Sequence, residues 1–76
     1  MPELPLIAGQ EALKVFGRAG WKYVRRKGSY MIMTKPGISV NLSIPDHKVL
    51  DRGLLKKLIR FSGLTVEEFI KFHKKG

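Results

Sequence analysis

Residues 38–44 read Ile38-Ser39-Val40-Asn41-Leu42-Ser43-Ile44. Apolar and polar side chains alternate without a break, which is the pattern of a strand with one buried face and one wet face. Pro36-Gly37 just before it is a turn pair, and Pro45 just after it ends the run. Upstream of that turn, Ser29-Tyr30-Met31-Ile32-Met33-Thr34 reads as a second strand. Lys27-Gly28 supplies another turn, and Trp21 to Arg26, rich in aromatic and basic residues, reads as the first strand of an antiparallel meander.

Helical patterns flank the meander. From Ile7 to about Ala19, the residues Ala8, Ala12, Leu13, Phe16 and Ala19 recur at spacings of three and four, and Gly20 follows as a helix stop. Beyond Pro45, Asp51 is placed to cap a helix whose apolar face is Leu54, Leu55, Leu58 and Ile59. Gly63 closes that helix. Thr65 and Glu68 then form a capping box, with Leu64 and Phe69 as the hydrophobic staple of a last helix. The expected order is helix, three strands, helix, short helix. This is an α+β fold in which each helix lays one apolar stripe on the same face of a three-stranded antiparallel sheet.

With 76 residues, a single domain spanning 1–76 is expected, one that buries only about 60% of its unfolded surface. No apolar run approaches the ~20 residues that cross a bilayer. No helix pairs a long apolar face with a dense basic one, so a membrane partner is not expected. The segment Met1 to Ile7 lacks a charged region followed by an apolar one, and the chain is read as a soluble cytoplasmic protein. There are no cysteines, which excludes disulfides and thiolate metal sites, and the two histidines, His47 and His73, lack ligand spacing. Neither a metal nor another cofactor is expected. Fifteen Lys and Arg against six Asp and Glu give a net charge of +9, which favours a polyanionic partner, RNA above all.

The turns suggest a register in which Arg26 pairs with Ser29 and Thr34 with Ser39. Val24, Met31, Met33, Val40, Leu42 and Ile44 then share the helix-facing side. Arg25, Tyr30, Ile32, Asn41 and Ser43 share the open side, Tyr30 lies across from Arg25 and Ser43, and Trp21 and Tyr23 point outward. A cationic face bearing hydroxyls and aromatic rings suits RNA: cations meet phosphates, hydroxyls meet phosphate or 2′-OH, and rings stack on unpaired bases.

Several stretches, taken in order, carry a resemblance. They are Gly20-Trp21 after a helix, Lys27-Gly28-Ser29, Ile44-Pro45-Asp46-His47, Gly53-Leu54-Leu55-Lys56-Lys57-Leu58-Ile59, and Gly63-Leu64-Thr65-Val66-Glu67-Glu68-Phe69. The set resembles the HicA family of toxins through nearly the whole chain. The resemblance implies a double-stranded-RNA-binding-domain-like fold, metal-independent cleavage of mRNA, and neutralisation by a HicB-like antitoxin. It also implies a catalytic histidine directly after Gly28-Ser29, where this chain has Tyr30, and a second family histidine that matches His47. The family often has a serine before the first helix's glycine, and Ala8 stands in that place.

Cleavage of RNA without metal removes a proton from a 2′-OH and delivers one to the departing 5′ oxygen, work suited to a group titrating near pH 7. A free tyrosine titrates near ~10, but its neutral hydroxyl still donates to a phosphate oxygen. Three readings of Tyr30 stay open: a slower acid or phosphate anchor in place of histidine, the mark of a non-cleaving relative that binds RNA or antitoxin, or a packing residue. The candidate site is therefore Tyr30 and His47 for catalysis, with Arg25, Arg26, Lys27, Ser29, Lys56, Lys57 and Arg60 for RNA. Against these stand the readings of His47 as a loop residue and of Lys56, Lys57 and Arg60 as a solvated helix face. His73 reads as structural, and Lys71, Lys74 and Lys75 as a loosely attractive basic tail.

Overall fold

The alternating segment and its two neighbours form the expected sheet. The computed structural model describes residues 4–74. Along the chain run α1 (Gly9–Arg18), β1 (Lys22–Lys27), β2 (Tyr30–Lys35), β3 (Ile38–Pro45), α2 (Arg52–Ser62) and α3 (Val66–Lys74). The strands are antiparallel, in the spatial order β1-β2-β3. The α+β class and the element order are as the sequence predicts.

Each helix start has a local cause. Asp51 Oδ2 accepts from the Leu54 N–H at 3.2 Å and caps α2, which ends at Gly63 in the left-handed region, φ +82°. The capping box of α3 is complete: Glu68 Oε1 accepts from the Thr65 N–H at 2.9 Å, and Thr65 Oγ1 accepts from the Glu68 N–H at 3.1 Å. In α1 only half of such a box exists. Ala8 occupies the N-cap with extended backbone and no side-chain acceptor, while Glu11 reaches back to the Ala8 N–H at 3.5 Å. Ala8→Ser supplies the absent acceptor and is expected to stabilise the fold by about 1 kcal/mol. In a domain of this size that is a rise in melting temperature of roughly 4–8 °C. An unchanged melting curve would show that the serine hydroxyl does not reach the first turn.

The register differs from the simple expectation, and the turns explain how. The β1–β2 hairpin closes with Lys27 opposite Tyr30, so Gly28-Ser29, not Lys27-Gly28, is the two-residue loop. Gly28 has φ +60° and Ser29 does not have a positive φ, the signature of a type II′ turn, which puts glycine first. In the β2–β3 turn, Pro36 precedes Gly37 at φ +84°, the type II arrangement. A type II turn splays its strands because its twist opposes theirs. Lys35 still faces Ile38, but the ladder then breaks and resumes two residues out of step, with Met33 opposite Leu42 and Met31 opposite Ile44.

Four placements are corrected accordingly. Val40 was expected inward opposite Met33; it falls in the irregular stretch and is half exposed. Val24 was expected inward as well, but the β1–β2 ladder passes from Tyr23–Met33 to Arg25–Ile32, leaving Val24 as a bulge residue facing solvent. Through the same bulge Tyr23 shares the side of Met33, at the sheet's edge and half exposed. Trp21 was expected to point outward. It precedes β1, so strand alternation does not govern it, and it is buried in the core with its backbone N–H on the Phe16 carbonyl at 3.0 Å.

The core lies between the sheet and the helices. Met31, Met33, Leu42 and Ile44 meet Ala12, Val15 and Phe16 of α1, Leu55, Leu58 and Ile59 of α2, and Phe69 of α3. The Phe16 and Phe69 rings are tilted at 53° with centroids 5.2 Å apart, which joins α1 to α3. The segment before α1 also belongs to the packing. Leu4 and Ile7 are buried, the Ile7 carbonyl accepts from the Leu50 N–H at 2.7 Å, and the Leu4 carbonyl accepts from Arg52 Nε at 3.0 Å.

Candidate nucleic-acid interface

With every helix on one side, the other side of the sheet is left open. Residues directly opposite each other on neighbouring strands share a face. Two rows therefore cross the open side: Lys27, Tyr30 and Pro45, then Arg25, Ile32 and Ser43. Tyr30 is thus across from Lys27 and Pro45, not from Arg25 and Ser43 as the simpler register would have it. Arg25 and Ser43 nevertheless stay on the same face, one row away.

These rows enclose a shallow concavity of about 420 Å³, lined by Lys27, Gly28, Tyr30, Ile32 and Ser43. Ile32 is only 7% exposed and makes an apolar floor, while Tyr30 is 48% exposed and stands at its margin. The chemistry on offer is a phenol, a serine hydroxyl, an ammonium and a flat apolar surface. That combination can hold a phosphate and a base together.

Arg26 is placed differently from its two neighbours. It lies opposite Met31, on the helix side, and its Nη2 donates to Asp46 Oδ2 at 2.8 Å. Its Nε donates to the Gly28 carbonyl at 3.1 Å, and Gln10 Nε2 donates to Asp46 Oδ1 at 3.3 Å. The clamp ties the β1–β2 turn to the end of β3 and the start of α1. The hydrogen bond from the Arg26 guanidinium, aided by Gln10 and by the nearby charges, holds the Asp46 carboxyl below its usual range against a smaller opposing effect of desolvation.

His47 follows Asp46 in the loop between β3 and α2 and is exposed. The Asp46 N–H donates to the Ser29 carbonyl at 2.8 Å, so His47 sits at the same end of the sheet as Ser29 and Tyr30. Its own carbonyl accepts from the Gly9 N–H at 2.9 Å. The imidazole does not line the Tyr30 concavity. Ser29 is exposed in the turn beside Tyr30.

The three helix cations do not act as one cluster. Lys57 lines a groove of about 240 Å³ with Asn41, Leu42, Ser43, Leu54, Leu58 and Phe61, along the β3 edge. Lys56 and Arg60 line a different depression of about 480 Å³ with Ile59 and the Gly63–Val66 stretch, and it shares no residue with the Tyr30 concavity. Helix geometry accounts for the split, because residues four apart share a face and adjacent ones do not. Phe61, 56% exposed in the Lys57 groove, is a site residue the sequence reading missed. Its position four residues after Lys57 was the available signal.

His73 Nε2 lies 3.7 Å from Glu11 Oε2, where α3 passes α1. Lys71 and Lys74 are exposed, and Lys75 lies outside the described residues. Among the described residues, no group of three or more His, Cys, Asp or Glu is placed to hold a metal ion.

No curated protein matches the chain. A family model described as the HicA toxin of bacterial toxin-antitoxin matches residues 9–64, from the first residue of α1 to just past the end of α2. That is well over half of the sequence, and it includes the whole sheet with its open face. The chain therefore belongs to the HicA toxin family of bacterial toxin–antitoxin systems.

Proposed function

We propose that this toxin binds single-stranded mRNA on the open face of its sheet, with Tyr30 at the point where the RNA is cut. The observation that carries this reading is the concavity of Lys27, Gly28, Tyr30, Ile32 and Ser43. It offers an apolar floor for a base and hydroxyl and ammonium donors for a phosphate, and it has no carboxylate to repel one. In the cleavage step the 2′-OH gives its proton to solvent water as its oxygen attacks the adjacent phosphorus. The bond from phosphorus to the 5′ oxygen breaks, and that oxygen takes a proton from water, leaving a 2′,3′-cyclic phosphate and a 5′-OH. Tyr30 donates a hydrogen bond from its phenol to the phosphate, Lys27 and Arg25 stabilise the extra negative charge, and the reaction needs no metal. With a phenol rather than an imidazole at position 30, the native chain is a slow nuclease and a good RNA binder. His47 contacts the phosphate backbone at the same end of the sheet.

Family membership implies an antitoxin partner. In this reading the antitoxin is of the HicB type and silences the toxin by covering the same cationic face, which also speeds its docking. The site of action is the cytoplasm, where mRNA is met. Among the described residues, no helix is long and apolar enough to cross a membrane.

The test is a salt titration of affinity for a labelled RNA oligonucleotide. Contacts from Arg25, Lys27 and Lys57 are expected to give a slope of log affinity against log salt of about −2. Lys27→Ala is expected to lower the affinity and reduce that slope by roughly 0.7. An affinity indifferent to salt, or one unchanged by Lys27→Ala, would remove RNA from the open face.

A further inference from the structure

Phe61 is an exposed aromatic residue that the Tyr30 concavity does not use. A lone exposed ring is ordinary on a protein surface. Its surroundings are what distinguish it. Lys57 lies one helical turn before it on the same face of α2, and Asn41 and Ser43 of β3 line the opposite wall of the groove. Ser43 also lines the Tyr30 concavity, so the two depressions lie on either side of that residue. Taken in turn they lead from the β1–β2 turn, by way of Ser43 on β3, to Lys57 and Phe61 of α2. A half-exposed ring stands at each end, and each ring has a lysine beside it: Lys27 opposite Tyr30, and Lys57 near Phe61. No carboxylate lines either depression.

We infer that Phe61 is a second base-stacking platform, which takes an unpaired nucleotide flanking the one held at Tyr30, with Lys57 on the intervening phosphate and Asn41 facing the base edge. The inference rests on the RNA-binding reading above and adds a second contact site for the strand. Aromatic rings at intervals along a cationic groove are how proteins follow a single strand, because every base offers a flat face to stack on. A duplex keeps its bases paired inside and cannot present one to Phe61, so this arrangement selects single-stranded or locally unpaired RNA. An acidic protein segment would meet the same lysines, but it has no comparable use for two separated rings joined by hydroxyl and amide groups.

The experiment measures binding of the full chain, in EDTA and at low salt, to two labelled hexamers. One is hexa-adenylate, and the other carries the same phosphates on abasic riboses. Phe61→Ala is expected to weaken hexa-adenylate binding about tenfold, the effect of losing one stacked base, and to leave the abasic strand unchanged. Phe61→Trp is expected to retain the affinity and to lose indole emission when hexa-adenylate binds. The native Trp21 is 2% exposed, so it contributes a constant background. An equal loss on both strands would make Phe61 a structural residue and overturn the inference. Unchanged hexa-adenylate affinity in Phe61→Ala, beside tight native binding, would overturn it too while leaving the RNA-binding reading intact. Unchanged RNA affinity with lost antitoxin co-purification would assign Phe61 to the protein interface instead. If neither strand binds the native chain, the RNA-binding reading falls and takes this inference with it.

Discussion

Gly9→Ala is expected to destabilise the protein by about 3 kcal/mol, lowering its melting temperature by roughly 12–24 °C. The glycine is the first residue of α1, and a methyl group there would overlap the Pro45 carbonyl oxygen, with Asp46 Cα only 3.3 Å away. The obstacle is backbone, so no side chain can turn aside. Nor can α1 slide away freely. The Gly9 N–H holds the His47 carbonyl at 2.9 Å, and the Ile7 carbonyl holds the Leu50 N–H at 2.7 Å. Lifting α1 would also pull Ala12, Val15 and Phe16 out of the core. Helix propensity predicts the opposite sign, since alanine outranks glycine by up to ~1 kcal/mol. Gly17→Ala is the control: it is in the same helix, its added methyl meets nothing within 4 Å, and it is expected to be neutral or stabilising. The pair is read by thermal or urea denaturation. A Gly9→Ala variant as stable as the native chain would mean that the close approach of α1 to β3 does not hold the fold together. Because the same contact fixes the loop that carries His47, RNA affinity is expected to fall along with stability.

The fold was legible because its signals are local. Alternation over residues 38–44, the Pro36-Gly37 turn, the Asp51 cap and the Thr65–Glu68 box each depend on neighbours a few residues apart, and each is found in place. The register was less legible for a physical reason. Side chains in a strand alternate with a period of two, so a two-residue slide leaves the buried set unchanged and the pattern cannot detect it. Met31 and Met33 face the helices under either register, whereas Val40 and Val24 depend on irregularities that only the assembled sheet reveals. The candidate site shows the same division. Arg25, Arg26 and Lys27 look equivalent as a basic run, yet a strand sends the middle one to the other side, where Asp46 and the Gly28 carbonyl engage it. Lys56 and Lys57 diverge because adjacent helical residues point about 100° apart. Both separations follow from periodicity and were readable in principle. The joining of Lys57 and Phe61 with Ser43 was not, because it needs the docking of α2 along β3.

Tyr30→His is expected to raise RNA cleavage in EDTA at pH 7 by about a hundredfold or more, the usual contribution of a well-placed general acid or base. Histidine is the residue that the family resemblance implies at this place, and a free imidazole titrates near ~6.5, so near pH 7 it can both accept and donate a proton. The surrounding structure accommodates the change. Tyr30 is half exposed at the start of β2 and is not part of the buried core, so the shorter side chain leaves no cavity beneath it. Lys27, Ile32 and Ser43 line the concavity in either form. The companion variant, Tyr30→Phe, keeps the ring and removes the hydroxyl. It is expected to bind RNA nearly as well as the native chain and to lose whatever slow cleavage that chain has. Initial rates on a labelled single-stranded RNA, measured beside affinities for the same strand, separate the two effects. If Tyr30→His binds RNA as tightly as the native protein but cuts it no faster than Tyr30→Phe, the concavity is a holding site and the reacting phosphate lies elsewhere on the strand. If it cuts quickly, the sheet already presents that phosphate to position 30, and the native rate is limited by the proton chemistry of one side chain.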